Sequence, residues 1–317
     1  MPDGHSLPRV FLIGAAKAGT TSLARWLSDQ PGLYLPALKE PHYFTPPPRH
    51  VPMSRPAPPF VRTLREYRAL YRNCPAGDRA IDASTSYLWS SEAAQNIRAS
   101  VGEDVWIIAV LREPVERAWS NYLNDKREGI EDRSFADAID DEMQRPVRHW
   151  GLDSTYLAAS RYAESIRRYI DAFGRERVLV VYFEDLVSDA RRLLPVIANF
   201  IGIDVCSEDV PALAHENAYS MPCNDLALRL LAAGWLRRMA RVLTPASLRH
   251  AFRRLLITEL TSRPILDPAL EQQMTQHFQD DVQALSALIG SAPPWARFAD
   301  VGKQTAIPHE MAREPTP

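Results

Sequence analysis

Three short clusters in this chain hold residue types able to grip and move anionic groups. The first is Gly14-Ala15-Ala16-Lys17-Ala18-Gly19-Thr20-Thr21, set between an apolar run, Val10-Phe11-Leu12-Ile13, and a segment with Leu23, Trp26 and Leu27 at helical spacing. Strand, glycine loop and helix in that order cradle phosphate, because the loop and the helix N-terminus present free N–H groups. The two glycines have the spacing of an ATP-binding loop. Such a loop, however, needs its lysine directly after the second glycine, then Ser or Thr for magnesium. Here Thr20 follows Gly19 and Lys17 stands two residues before it, so the loop suits a different phosphate donor.

The second cluster is Lys39-Glu40-Pro41-His42-Tyr43-Phe44, where a carboxylate and an imidazole lie two residues apart. Either group can take a proton from a hydroxyl nucleophile. The third runs Leu111-Arg112-Glu113-Pro114-Val115-Glu116-Arg117-Ala118-Trp119-Ser120. Arg112 ends an apolar strand, where α/β folds bind ligands, and its guanidinium can hold phosphate through two parallel bonds. Pro114 is a helix-start signal, which puts Ser120 on the second turn of the next helix; Arg117 reads as structural.

Together, and in this order from about Val10 to about Gly202, the clusters resemble the sulfotransferases that use 3′-phosphoadenosine 5′-phosphosulfate (PAPS), in particular a bacterial branch related to heparan-sulfate O-sulfotransferases. The resemblance implies direct in-line transfer of a sulfuryl group to an acceptor hydroxyl, with an amine as the weaker option, and no metal. It gives the 5′-phosphate to Lys17, Ala18, Gly19, Thr20, Thr21 and Ser22, with Lys17 reaching the bridging oxygen. It gives the 3′-phosphate to Arg112 and Ser120, and the base to Glu40. His42 orients Glu40 or takes the proton itself, and Lys39 is a contact for acceptor or nucleotide.

One departure stands out. In Ile81-Asp82-Ala83-Ser84-Thr85-Ser86-Tyr87-Leu88, Ala83 occupies the place of a catalytic lysine found in several heparan-sulfate relatives. A polysaccharide acceptor loses support, and a carbohydrate, a lipid or another small-molecule hydroxyl stays open. Ser84 and Ser86 are expected to line the pocket, and Tyr87 either the pocket or the core. Two competing readings are a P-loop kinase or NTPase, with Asp82 as its metal-binding aspartate, and a non-catalytic nucleotide-binding scaffold.

The elements that must position these residues follow from apolar patterning. Buried strands are expected over 9–13, 79–82, 105–111 and 177–183, with helical periodicity between them, which implies βαβ units. The fold class is therefore α/β: a P-loop-like three-layer fold with a central parallel sheet and a helical C-terminal part. Helices are expected over 115–127, over 156–173 up to Gly174, and over 268–289. The proline-rich stretch 46–59 can only be a loop.

With 317 residues and 46% apolar content, a single domain over 1–300 is expected, its helical C-terminal portion at about 211–290, with 301–317 a loose tail. A net charge of −2 and a pI near 6.5 supply no basic excess for a nucleic-acid binder. Within 226–258, however, seven arginines and no acid are interleaved with Leu and Trp. These read as basic amphipathic helices, leaving peripheral membrane or partner contact through 229–254 open. Cys74, Cys206 and Cys223 encode neither a disulfide framework nor a zinc site. With no apolar run of membrane-span length and no signal-peptide pattern, a cytoplasmic enzyme is expected.

Overall fold

The computed structural model describes residues 7–46, 60–145, 155–204, 220–222, 257–259 and 264–299. In chain order the elements are β1 (Val10–Gly14), α1 (Thr20–Ser28), β2 (Leu33–Tyr34), α2 (Leu64–Leu70), β3 (Arg79–Asp82), α3 (Ser86–Trp89), α4 (Ala93–Val101), β4 (Trp106–Leu111), α5 (Pro114–Arg127), α6 (Phe135–Gln144), α7 (Ala163–Phe173), β5 (Val178–Tyr182), α8 (Phe183–Ser188), α9 (Ala190–Ile201), β6 (Ser220–Pro222), β7 (Ile257–Glu259) and α10 (Pro268–Ile289).

Five strands form one parallel sheet in the order β2-β3-β1-β4-β5. Parallel neighbours need long crossovers, and the helices in those crossovers cover the sheet. That explains why β1 and β4 are near-continuous apolar runs: Val10–Ile13 and Ile107–Leu111 are fully buried. β1 has β3 on one side and β4 on the other, so the turn after β1 sits where the strand order reverses. Open α/β sheets hold ligands at that place. There the ends of β1, β3 and β4 deliver the glycine loop, residues 83–86 and Arg112 side by side.

Local chemistry sets the helix that follows Arg112. The Glu113 carboxylate accepts from the N–H groups of Val115 (2.9 Å) and Glu116 (3.2 Å), and Pro114 takes the first helical position. The same device starts α10, where Asp267 accepts from Ala269 and Leu270 ahead of a buried stripe of Met274, Phe278, Val282 and Leu285.

Three expectations need correction. β2, a two-residue edge strand, was not foreseen, being too short to show a period. The helix expected from residue 156 begins at Ala163, after a 3₁₀ turn at Ala158–Ser160. The helix is interrupted ahead of Ala163 because the Asp281 carboxylate on α10 takes the N–H groups of Tyr162 (2.7 Å) and Ala163 (3.3 Å), which a continuous helix would spend on the carbonyls of Ala158 and Ala159. The buried Glu142 carboxylate accepts from the N–H groups of Tyr156 (2.7 Å), Leu157 (3.0 Å) and Ala158 (2.8 Å). Arg117, also buried, donates to the Ser160 hydroxyl (2.6 Å) and the Tyr156 carbonyl (2.8 Å). Finally, Ile257 and Thr258 lie in β7, paired antiparallel with β6, and not in a helix. The rest of the arginine-rich segment, the loop 47–59 and the tail lie outside the described residues.

Candidate functional site

The glycine loop has the geometry of an anion cradle. Gly14 (φ +147°) runs under α3, where a Cβ would stand 2.9 Å from the Leu88 Cβ, and Gly19 (φ +79°) passes the Phe183 ring, where a Cβ would stand at 3.0 Å. Larger residues would be strained and crowded at both points. Gly19 caps α1 with no side chain, and the first turn of α1 has no acidic residue. A helix N-terminus without a capping side chain, flanked here by the Thr20, Thr21 and Ser22 hydroxyls, is of the kind that can receive an anion. Ala18 is fully buried beneath them and supplies backbone only.

Lys17 adopts a left-handed conformation (φ +70°), and its ammonium donates to the amide oxygen of Asn124 at 3.1 Å. Burial, then the nearby charges of Arg127 and Arg112, pulls its pKa down to about 8. Arg112 reaches back to the same loop: its guanidinium donates to the Lys17 carbonyl at 3.1 Å and lies 4.7 Å over the Phe183 ring. Glu116, one turn along, is 3.5 Å away, and the Arg112 carbonyl accepts from the Tyr162 hydroxyl at 2.8 Å. Ser120, half-buried on α5, shares a helical face with Asn124 four residues on. The loop and Arg112 thus meet directly, and Ser120 lies one helical turn before the residue that holds the Lys17 ammonium.

The second cluster closes the other side. Glu40 accepts from the Lys39 ammonium at 2.7 Å and the Thr85 hydroxyl at 2.8 Å. Burial pushes the Glu40 pKa up, but the Lys39 charge and hydrogen bond, with Thr85, outweigh it, and the carboxyl is held below the usual carboxylate value. Lys39 also donates to the Thr21 hydroxyl at 3.3 Å, so it bridges this cluster to the glycine loop. His42 is 5% exposed, and burial brings its pKa down to about 4, against the pull of Glu40. Its Nδ1 bonds the Ser86 hydroxyl at 2.8 Å, and its Nε2 stands 3.6 Å from Glu40.

Ser84 and Ser86 do not line a pocket. Both are buried, Ser84 accepting from the His42 N–H at 3.0 Å, and together they hold the histidine from below. Tyr87 and Asp82 are core. Oδ1 of Asp82 accepts from the Ser84 N–H (3.1 Å) and hydroxyl (2.6 Å), and Oδ2 from the hydroxyls of Tyr67 (2.7 Å) and Tyr87 (2.8 Å). Both oxygens are committed to protein donors, which leaves no support for a metal-binding aspartate of kinase type. Ala83 is also buried, its N–H donating to the Lys39 carbonyl at 3.3 Å. The motifs alone passed over Asn124, Thr85 and Phe183. Of these, Asn124 left a signal, lying one helical turn after Ser120.

Residues 7–227 match the family defined by the sulfotransferase domain. The chain belongs to that family. Among its relatives, heparan sulfate glucosamine 3-O-sulfotransferase 3B1 of Mus musculus is 28% identical over 200 residues, covering 62% of this chain and 46% of that protein. Heparan sulfate glucosamine 3-O-sulfotransferase 6 of Homo sapiens is 27% identical over 209 residues, covering 64% and 54%. The chain thus spans about half the length of these relatives. A crystal structure of a sulfotransferase from Alicyclobacillus acidocaldarius superposes with a TM-score of 0.67 at 26% identity, covering 91% of this chain and 98% of that one.

Proposed function

We propose that the protein is a sulfotransferase that takes a sulfuryl group from PAPS and passes it directly to an acceptor hydroxyl. One observation carries the reading: Arg112 is bonded to the backbone of the displaced-lysine loop, which sets a second cation beside a 5′-phosphate cradle. ATP has no 3′-phosphate for that cation to grip; PAPS has one. Family membership supports the donor, and the sugar hydroxyls in the names of the animal relatives support a hydroxyl acceptor.

PAPS supplies a sulfuryl group on a phosphate leaving group. Lys17, aided by the N–H groups of the loop and α1, faces the bridging oxygen as negative charge grows there, and preorganised donors are the main lever on such a barrier. Glu40, kept ionised by Lys39 and Thr85, takes the acceptor proton. His42, neutral near pH 7, braces this segment through Ser86 and is the second candidate for the proton. Arg112 and Ser120 hold the 3′-phosphate.

The test uses nucleotide alone. Adenosine 3′,5′-bisphosphate should raise the melting temperature more than ATP with magnesium does at equal concentration. Arg112→Ala should weaken the bisphosphate far more than adenosine 5′-monophosphate. ATP stabilising more than the bisphosphate would point to the kinase reading, and equal weakening of the two adenosine phosphates would take Arg112 off the 3′-phosphate.

A further inference from the structure

Lys39 spans the gap between the two halves of the site. Its ammonium lies 2.7 Å from one oxygen of Glu40 and 3.3 Å from the Thr21 hydroxyl in the first turn of α1. The backbone beneath is fixed, since the Lys39 carbonyl accepts from the buried Ala83 N–H. A group moving from the glycine loop to an acceptor whose proton goes to Glu40 must cross this interval. Lysine brings to it a compact charge with three donors, enough to keep Glu40 and Thr21 and still offer one outward.

We propose that Lys39 is a catalytic residue that binds the oxygens of the transferred sulfuryl group, an assignment that rests on the PAPS reading. In the step it serves, the bond from sulfur to the bridging oxygen breaks and its electron pair stays on the 5′-phosphate, facing Lys17. The bond from sulfur to the acceptor oxygen forms, and the acceptor proton goes to Glu40. Lys39 makes and breaks no covalent bond. It holds the sulfuryl oxygens in line between leaving and attacking oxygens, and it ties their position to that of the base. The lowered pKa of Glu40 agrees with a cation held at this point.

Equilibrium binding of PAPS and of adenosine 3′,5′-bisphosphate tests this without an acceptor, because the two differ by the sulfuryl group alone. Lys39→Met should weaken PAPS by about tenfold to a hundredfold, the worth of a charge-assisted hydrogen bond, and change the bisphosphate by less than about twofold. Lys39→Arg should recover most of the loss. Should the Met variant not fold, Lys39→Gln, polar but uncharged, gives the same ratio. Equal loss for both nucleotides, or unchanged PAPS affinity, overturns the assignment of Lys39 alone. A wild-type protein that prefers ATP with magnesium to both nucleotides overturns the reading beneath it.

Discussion

The amide oxygen of Asn124 on α5 accepts from the Lys17 ammonium at 3.1 Å, across 107 positions of sequence, and it also accepts from Arg127 at 2.9 Å. Lys17 is thereby anchored at its far end to the helix that carries Ser120, while Arg112 anchors its carbonyl. The loop cation is held from both ends before any nucleotide arrives, and preorganisation of that kind lowers the reorganisation needed as charge develops.

Asn124→Ala should leave the fold intact and cut turnover by about tenfold, roughly the worth of one charge-assisted hydrogen bond. The nucleotide itself should still bind. The lowered pKa of Lys17 adds a pH signature. Its charge is present below about pH 8 and lost above, so bisphosphate affinity should be level up to pH 8 and then fall as pH rises. Titration calorimetry from pH 6.5 to 9.5 reads this, and Lys17→Arg should abolish the inflection. A flat wild-type profile would show that Lys17 does not titrate in contact with the nucleotide.

Glu40→Gln keeps the size of the side chain but cannot accept a proton, so nucleotide affinity should barely change while turnover falls by about 10²–10⁴-fold. His42→Ala should cost less, because the ring braces the segment through Ser86 and stands 3.6 Å from Glu40. Steady-state rates of the two variants at saturating acceptor decide the matter. Near-normal turnover in Glu40→Gln, together with a dead but folded His42→Ala, would make His42 the base.

Asp82→Ala strands buried hydroxyls of Tyr67, Tyr87 and Ser84 together, and should destabilise the protein by about 3–5 kcal/mol in a urea titration. The pH dependence has a definite sign. Burial raises the Asp82 pKa to about 6, above its unfolded value, so the folded state binds the extra proton. The stability this group adds is full below about pH 4 and is lost as pH rises through about 6. Asp82→Asn should flatten that part of the stability profile. A slope unchanged in Asp82→Asn would place its origin in other buried carboxyls, such as Glu113, also raised by burial, to about 7.

The sequence by itself determined what is encoded locally. The apolar runs of β1 and β4 could be located because a strand buried on both faces is apolar along its length, and the edge strand β5 because its run Val178–Val181 is still aliphatic. The starts of α5 and α10 could be read because a capping carboxylate and a proline act within one turn of their own helix. The glycine loop, Arg112 and Glu40 stood out because glycine spacing and charge next to apolar runs are visible without a fold. Only the tertiary structure decided what meets what. The Asp281 carboxylate on α10 takes the N–H groups of Tyr162 and Ala163 and so interrupts a helix that periodicity alone would start at 156, because a carboxylate taken from water must find donors wherever packing supplies them. Phe183 under Arg112, Thr85 at Glu40, and Asn124 at Lys17 come from other elements, joined by the switch in strand order between β1, β3 and β4. Partners of this kind leave no period in the chain, since their spacing is set by the crossovers of the sheet and not by the repeat of a helix or strand.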